Sequence, residues 1–535
     1  MTTQNNDIFN FDITFWVFIP VYNFEEYLND CCQSLFNQTY KNYNVVFLND
    51  GSKDNSLNII NEWASKFKVN GNESVIINTE ENMGPGYTKW NAIKYARENG
   101  NKNDIFTILD GDDSYSTINA LKIIHYRYLQ TKCWFTYGSA VGEYTEQGGP
   151  ITKHCILNLR KPRDTFKYQH PRSCLVFLLD YLNEKDFQDY HGKWLLRLTD
   201  RQFIYKCLEL AGLNRISFIE QKLYNYRTHS NNARNKLDNT YKFVVDSYIN
   251  SLPACLPIVE NIHLVMCCYK RHHNLTKIIN SVENQSVSRR IVLHIINTNP
   301  DKWAETTYIK NHIALQNIKL VVCNTNENLY GYARFLYTKQ LMRKEIVPYV
   351  IFFDDDQILP KHWVENIYKR GRPLSYCCWF GRIFKKNLLK EKMSYWDDKI
   401  NSECRRLALY SSDIKTFDFG ATCGCIVDTN IFRFDLLFKC PKKYRNIEDL
   451  WLSFVVRQVL GNNISPFNIP IDCDTFDDTE QTALWVSLYK EKQVFLNLLV
   501  DIGFLRSSHI NICLLNDLVE KEDDSEKYIS KFVYE

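Results

Sequence analysis

The fold is decided by residues 14–52, which read TFWVFIPVYNFEEYLNDCCQSLFNQTYKNYNVVFLNDGS. The two apolar runs, TFWVFIPVY and NVVFLNDGS, are typical of strands that are buried on both faces. The segment between them repeats apolar residues at helical spacing, and a second helical pattern, DNSLNIINEWASKF, follows the second run. This βαβα order predicts an α/β domain with a parallel sheet, helices on both faces, and ligands bound at the carboxyl ends of the strands.

The chain carries the same landmarks twice in the same order. The first half contains WVFIPVYN, NTEENMGPGY and FTILDGDD, and the second half contains HLVMCCYKR, NTNENLYGY and VIFFDDDQ. The matched positions are Tyr22 with Tyr269, Asn82 with Asn328, and Asp110 with Asp354. Their separation stays between 244 and 247 residues, which predicts a duplicated domain.

Two α/β domains and a tail follow from this repeat. The predicted boundaries are 1–250 for the first domain, 258–480 for the second and 481–535 for a helical C-terminal tail. The segment SLPACLPIVEN contains two prolines and suits the linker between the domains. We expect the apolar positions of the tail to pack against the second domain.

Three carboxylates, Asp110, Asp112 and Asp113, follow the apolar run FTIL (Phe106–Leu109). Close carboxylates at the end of a buried strand repel one another unless a cation or a bound group compensates their charge. Oxygen ligands suit Mg²⁺ or Mn²⁺, which complete their coordination with water and substrate phosphates. The motif therefore predicts a site for a divalent cation and a phosphorylated ligand, with a solvated acidic turn as the alternative.

The composition excludes several classes of protein. The formal net charge is +3 and no run of five or six like charges occurs, so a nucleic-acid partner is not indicated. No apolar run approaches the ~20 residues that span a bilayer, and the N-terminus lacks the features of a secretory signal. We expect a soluble, cytoplasmic protein without a transmembrane segment, whose 18 scattered cysteines are mostly buried and reduced.

The quoted motifs of the first half, together with GKWLLRLTDRQFIYKCLELAG and LYNYRTHSNN, resemble the inverting nucleotide-sugar glycosyltransferases of family 2, which have the GT-A fold. The resemblance implies Asp200 as the general base, and Asp112 and His229 as metal ligands. The usual Glu-Asp pair before the acceptor helix reads Thr199-Asp200 here. The nucleotide-sugar contacts that the resemblance implies are Pro20, Val21, Tyr22, Asn23, Asp50, Asn82, Gly84, Lys89, Asp110, Gly111 and Asp112.

The second half is similar to the same family, over about residues 262–470. The resemblance implies Asp449 as its base and Asp356 as its metal ligand. We align Asn297 with Asp50, and DTFDDTEQ stands near the place of LYNYRTHSNN. The implied nucleotide-sugar contacts are Tyr269, Arg271, Asn297, Asn328, Arg334, Asp354 and Asp355.

The sequence thus predicts a metal-dependent glycosyltransferase of the hexosyltransferase type that uses Mn²⁺ or Mg²⁺. We expect it to move a sugar from a nucleotide-diphosphate donor, a UDP-sugar in the first half, to a hydroxyl of a glycan or protein, with inversion. Both halves are active in one interpretation. In the alternative, the second half is a non-catalytic copy that binds carbohydrate or mediates oligomerisation. A sugar-phosphate nucleotidyltransferase is disfavoured, because no Gly-rich phosphate loop with Lys or Arg follows the first strand.

Overall fold

A computed structural model gives the fold as two compact units. The first unit comprises Ile13–Ile258 together with Arg343–Ile346, and the second comprises Val259–Met342 and Val347–Glu535. The structure describes residues 13–142, 149–152, 155, 159–160, 167–229, 239–384, 402–406, 416–461, 464–466, 474–475, 488–504, 512–519, 525–530 and 532–534.

The first unit is built on an eight-stranded sheet with the order β3-β2-β1-β4-β7-β6-β8-β5. The strands are β1 (Phe15–Val21), β2 (Tyr43–Asp50), β3 (Ser74–Thr79), β4 (Ile105–Ile108), β5 (Ser114–Tyr115), β6 (Phe135–Val141), β7 (Gln169–Leu175) and β8 (Ile216–Asn225). Strands β3, β2, β1 and β4 are parallel, and β7 joins β4 in the antiparallel direction. The predicted parallel α/β sheet is therefore confirmed.

Six α-helices within the described residues of the first unit pack around this sheet. They are α1 (Leu28–Phe36), α2 (Ser56–Val69), α3 (Pro85–Asn99), α4 (Ala120–Thr131), α5 (Thr199–Ala211) and α6 (Asn239–Ser251). In α1 the buried residues Leu28, Cys31 and Leu35 recur at helical spacing, as the sequence predicts. The backbone N–H of Ser56 at the start of α2 donates to Asp54 Oδ1, which satisfies one of the amides left open at the beginning of a helix.

The second unit repeats this arrangement in an eight-stranded sheet with the order β19-β14-β18-β12-β9-β10-β11-β21. The strands of this sheet are β9 (Ile262–Cys268), β10 (Ile291–Asn297), β11 (Ile318–Thr325), β12 (Tyr349–Phe352), β14 (Tyr376–Cys378), β18 (Cys425–Asp428), β19 (Ile464–Pro466) and β21 (Phe532–Tyr534). In the described part of the unit, two smaller sheets are formed by β13 (Gln357–Ile358) with β20 (Asp474–Thr475), and by β15 (Phe380–Phe384) with β16 (Ser402–Arg406) and β17 (Phe419–Gly420). Strands β9 to β12 are parallel where they pair, in the order seen for β1 to β4.

The helices of the second unit include those of the C-terminal tail. They are α7 (Leu275–Glu283), α8 (Trp303–His312), α9 (Ala333–Lys344), α10 (Trp363–Tyr368), α11 (Asp435–Phe438), α12 (Glu448–Leu460), α13 (Tyr489–Ile502), α14 (Ile512–Leu518) and α15 (Ser525–Ile529). The described part of the tail is helical as predicted, except for β21, which pairs antiparallel with β11. Three residues are too few to show a strand pattern in the sequence.

The two parallel sheets also share their register. In the first unit Asn49 of β2 lies opposite Val21, the last residue of β1, and opposite Asn78 of β3. In the second unit Asn297 of β10 lies opposite Cys268, the last residue of β9, and opposite Asn324 of β11. Asn297 therefore corresponds to Asn49.

No helix within the described residues is long and apolar enough to cross a membrane. The described cysteines form no disulfide, and most of them are buried.

Candidate active site

The first unit brings three predicted motifs to the carboxyl ends of its parallel strands. Tyr22 and Asn23 follow β1, Asp50 ends β2, and the acidic motif follows β4. Asn23 joins two of these loops, because its N–H donates to Ser52 Oγ (3.0 Å) and its Oδ1 accepts from Lys53 N (2.8 Å). Tyr22 is 36% exposed, whereas the Val21 side chain is buried, so only the backbone of Val21 can reach a ligand.

Asp50 organises the loop that leads into α3. Its Oδ1 accepts from the Met83 N–H and its Oδ2 accepts from the Gly84 N–H, both at 2.8 Å. Asn82 Oδ1 also accepts from Gly84 N (2.9 Å), and Gly84 has a φ of 89°, which favours glycine. Asp50, Asn82 and Gly84 therefore form one hydrogen-bonded loop beside the ends of β1 and β2.

The acidic motif packs tightly against the first strand. A Cβ atom at Gly111 would lie 2.8 Å from the carbonyl oxygen of Pro20, so glycine is required for this approach. Burial, followed by the charge of Asp112, raises the pKa of Asp113 to about 9, and its Oδ1 accepts from Arg227 N (2.7 Å). Burial likewise raises the pKa of Asp110 to about 7.

Asp112 and His229 meet at this edge of the sheet. His229 Nε2 lies 2.9 Å from Asp112 Oδ2, and the imidazole stands 4.6 Å from the Tyr27 ring, centre to centre. Burial raises the pKa of Asp112, and the hydrogen bond to His229 opposes this rise. One carboxylate and one imidazole fit Mn²⁺ or Mg²⁺ if water and a diphosphate complete the coordination. Within the described ranges, no group of three or more His, Cys, Asp or Glu side chains is arranged around a metal position.

Asp200 lies at the start of α5, in a cleft that Asp110 also lines. Its carboxylate forms ion pairs with Lys89 of α3 and with Arg172 of β7, whose Nη1 is 2.7 Å from Asp200 Oδ2. His170 Nε2 is 3.8 Å from Asp110 Oδ2 and 3.9 Å from Asp200 Oδ2. The structure thus brings the predicted residues Lys89, Asp110 and Asp200 together.

The electrostatics of the cleft are dominated by these cations. Burial alone would raise the pKa of Asp200, but the charges of Lys89 and Arg172 outweigh it and hold the pKa well below its usual range. Burial, followed by the charge of Arg172, holds the pKa of His170 well below its usual value, so this imidazole is neutral near pH 7. His170 Nδ1 is buried and has no hydrogen-bond partner among the residues described.

Sequence reasoning missed His170 and Arg172. Both are polar residues within the strand QHPRSCL, and Arg172 alternates with buried neighbours. A charged residue inside a strand that is otherwise buried is a signal for a paired or functional group, because burying an unpaired charge costs free energy. QHPRSCL has neither an apolar run nor an alternation of apolar and polar residues, so the sequence alone did not indicate this strand.

Arginines form ion pairs with the acidic motif of the second unit, Asp354–Asp356. Arg271 Nη1 lies 2.8 Å from Asp355 Oδ1 and 3.1 Å from Asp356 Oδ2. Arg334 Nη2 lies 3.1 Å from Asp354 Oδ1, and Arg334 Nε lies 3.8 Å from an oxygen of Glu448 at the start of α12. The prediction of Asp356 as a metal ligand does not fit this arrangement, because a guanidinium already bridges Asp356 and Asp355.

The alignment of Asn297 with Asp50 is wrong. Asn297 is fully buried and donates from Nδ2 to Asn324 Oδ1 (2.9 Å), as Asn49 donates to Asn78 Oδ1 (2.5 Å). Its Oδ1 lies 3.0 Å from His272 Nε2, so no side of the amide is left for a nucleotide base. The shared register makes the buried Thr298 the residue that corresponds to Asp50.

The other predicted residues of the second unit lie at the same sheet edge. Tyr269 follows β9 and is 39% exposed. Asn328 Oδ1 accepts from Tyr330 N (2.9 Å), just as Asn82 Oδ1 accepts from Gly84 N in the first unit. Asp449 lies beside Glu448 at the start of α12, with Lys492 of the tail 3.7 Å away. Most of DTFDDTEQ lies outside the described residues.

The model of the family described as "Glycosyl transferase family 2" matches residues 16–131 and 263–439, more than half of the chain and both units. The chain belongs to glycosyl transferase family 2. The expectations of a glycosyltransferase and of two GT-A domains are thereby confirmed. In each unit the match to this family begins at the first strand and includes the acidic motif.

Several family members and solved structures are similar to parts of the chain. Glycosyltransferase GlyG of Streptococcus pneumoniae is 24% identical over 254 residues, which are 45% of this chain and 80% of GlyG. The poly(ribitol-phosphate) beta-glucosyltransferase of Bacillus spizizenii is 36% identical over 99 residues, 18% of this chain and 14% of that protein. The structure of S. aureus TarS 1-349 in complex with UDP-GlcNAc is 19% identical, with a TM-score of 0.31, and the match covers 42% of this chain and 62% of the TarS 1-349 chain. The chain therefore spans less than two thirds of the last two proteins.

Proposed function

We propose that the first unit transfers a sugar from a nucleotide-diphosphate donor to a hydroxyl acceptor, with inversion and with a divalent cation. One observation carries this proposal: Asp50, the acidic motif and Asp200 converge at the carboxyl ends of the parallel strands, beside a cleft that contains Lys89, His170 and Arg172. In α/β sheets this edge is where ligands bind.

The nucleotide would lie against Tyr22, Asp50 and Asp110. Asp50 Oδ2 accepts one hydrogen bond, from Gly84 N, and a carboxylate oxygen can accept a second. The N3–H of uracil is a suitable donor, and this supports a UDP-sugar. Asp112 and His229 would hold Mn²⁺ or Mg²⁺, which supplies positive charge for the leaving diphosphate.

Asp200 would accept the proton of the acceptor hydroxyl. A single displacement with inversion needs one base near this hydroxyl and no covalent intermediate. In the free protein Asp200 is a weak base, because Lys89 and Arg172 stabilise its charge. The donor's diphosphate competes for these two cations, and the proton affinity of Asp200 rises when they turn towards the diphosphate.

His170 would contact the sugar rather than take the proton. Its imidazole lines the cleft, and Nδ1 is buried without a partner among the described residues. A sugar hydroxyl is the kind of group that satisfies such a nitrogen.

Two arginines already pair with the acidic motif of the second unit. We therefore favour the interpretation in which the first unit is active and the second is a copy without metal-dependent transferase activity. Arg271 and Arg334 hold all three aspartates of this motif. Asp449 nevertheless retains the position of a base, so an Asp449→Asn variant tests whether the second unit contributes turnover.

The experiment is a screen of the full chain against a panel of nucleotide sugars with Mn²⁺, in which released nucleoside diphosphate is measured. We expect release from a UDP-sugar that is lost in Asp112→Asn and kept in Asp449→Asn. Asp180→Asn is the matched control, because Asp180 pairs with Lys102 at the surface, away from the cleft. Release that survives Asp112→Asn but is lost in Asp449→Asn would place the activity in the second unit.

A further inference from the structure

A positively charged side chain, that of Arg271, lies against the acidic motif that follows β12. One nitrogen of Arg271, Nη1, contacts Asp355 Oδ1 at 2.8 Å and Asp356 Oδ2 at 3.1 Å. These are charge-assisted hydrogen bonds between groups of opposite charge. The Arg271 side chain is 11% exposed, and those of Asp355 and Asp356 are 15% and 17% exposed, so water screens the three groups little.

The third aspartate of the motif is held by a second arginine. Arg334 comes from α9, is 5% exposed, and contacts Asp354 Oδ1 at 3.1 Å. The side chain of Asn274 also donates to the backbone carbonyl of Asp355 (3.3 Å), which fixes the loop that carries the motif. Two guanidinium groups from two different elements thus meet three carboxylates.

The first unit has a different residue at the position of Arg271. The offset that aligns Tyr22 with Tyr269 places Phe24 opposite Arg271, and an uncharged ring cannot bridge two carboxylates. Asp112 contacts His229 instead, and an imidazole can itself bind a metal through a ring nitrogen. The two units therefore present different chemistry to a cation at the same point of the fold.

We infer that the acidic motif of the second unit, Asp354–Asp356, takes no divalent cation, because the guanidinium of Arg271 occupies the place between Asp355 and Asp356 that a cation would need. A divalent cation there would displace two charge-assisted hydrogen bonds and lie beside two fixed positive charges, Arg271 and Arg334. Among the residues that the structure describes, one site for a divalent cation then remains, at Asp112 and His229. Only this count of one rests on the proposed function of the first unit.

The test is the stoichiometry of Mn²⁺ binding to the full chain in the presence of UDP, with free Mn²⁺ followed by electron paramagnetic resonance. We expect one Mn²⁺ per chain, lost in Asp112→Asn and kept in Asp356→Asn. A bound Mn²⁺ that is lost in Asp356→Asn would overturn the inference. A Mn²⁺ count that does not respond to Asp112→Asn would instead contradict the proposed function of the first unit, so the two failures are distinguishable.

The variant Arg271→Phe introduces the residue of the first unit and frees Asp355 and Asp356. We expect it to bind a second Mn²⁺, which the added substitution Asp356→Asn removes. Arg289→Phe is the matched control: Arg289 pairs with Glu260 at 3.7 Å elsewhere in the unit, and its loss should leave the count at one. A folded Arg271→Phe protein that still binds one Mn²⁺ would show that Arg271 is not what excludes the cation. If this variant does not fold, the comparison of Asp112→Asn with Asp356→Asn still decides the inference.

Discussion

Lys89 and Asp200 form an ion pair that joins α3 to the start of α5 in the cleft of the first unit. The pair keeps Asp200 ionised and weakens it as a base. Replacing Lys89 by Met removes one of the cations that hold the pKa of Asp200 below its usual range, so this pKa should rise. A base works in its ionised form, and the acid limb of kcat/KM against pH should therefore move to higher pH. An acid limb that does not move would mean that Lys89 does not lower the pKa of the catalytic base.

Asp200→Asn should remove the base and keep the shape of the side chain. We expect kcat to fall by roughly 10²–10⁴-fold, the usual contribution of general base catalysis. Donor affinity, measured by calorimetry with UDP and Mn²⁺, should be kept or rise, because Asp200 no longer competes with the diphosphate for Lys89 and Arg172, with Asp180→Asn as the surface control. A loss of donor affinity equal to the loss of rate would assign Asp200 to the donor site.

Gly51 is required by the backbone of the loop that carries Asp50. Its φ is 67°, and a Cβ atom would lie 2.5 Å from the carbonyl carbon of Glu81. Gly51→Ala should therefore lower the free energy of unfolding by roughly 3 kcal/mol, from backbone strain and overpacking together, and weaken UDP binding. Gly71 has a φ of 88° with open space around it, so Gly71→Ala should cost only about 1 kcal/mol and leave UDP binding unchanged. Equal losses in urea unfolding for the two variants would show that contact with Glu81 does not matter.

A buried histidine pair makes the stability of the second unit depend on pH. His263 Nδ1 lies 3.0 Å from His294 Nε2, and His294 Nδ1 lies 2.8 Å from the Tyr337 hydroxyl. Burial, followed by the charge of Lys319, lowers the pKa of His263 to about 4. The unfolded chain binds a proton at this residue below pH ~6.5 and the folded chain does not, so stability falls as the pH drops from ~6.5 towards 4.

The variant His263→Gln tests this dependence. Between pH 7 and pH 5 the wild-type protein should lose about 2 kcal/mol more of its free energy of unfolding than the variant, as measured by urea unfolding. The same loss in both proteins would mean that His263 is protonated in the folded state at pH 5.

The repeat and the parallel sheets could be predicted from the sequence, because buried strands leave continuous apolar runs and the strand-end motifs recur at a nearly constant offset. The register could not be fixed to one residue: NVVFLND and IVLHIIN both end in polar residues, and only the pairing of Asn49 and Asn297 with their neighbours shows which positions correspond. The sequence also does not indicate which charged residues pair with one another. Arg271 and Asp356 are 85 residues apart in the chain, and nothing in either motif indicates that they meet.

The most direct test of the proposed transferase activity is the release of UDP from UDP-sugars by the full chain, with and without Mn²⁺, in the wild-type protein and in Asp112→Asn. We expect Mn²⁺-dependent release by the wild-type protein, abolished by EDTA and reduced at least about 100-fold in Asp112→Asn, with Asp180→Asn unchanged. Release that is equal in the wild-type and Asp112→Asn proteins at saturating Mn²⁺ would contradict it.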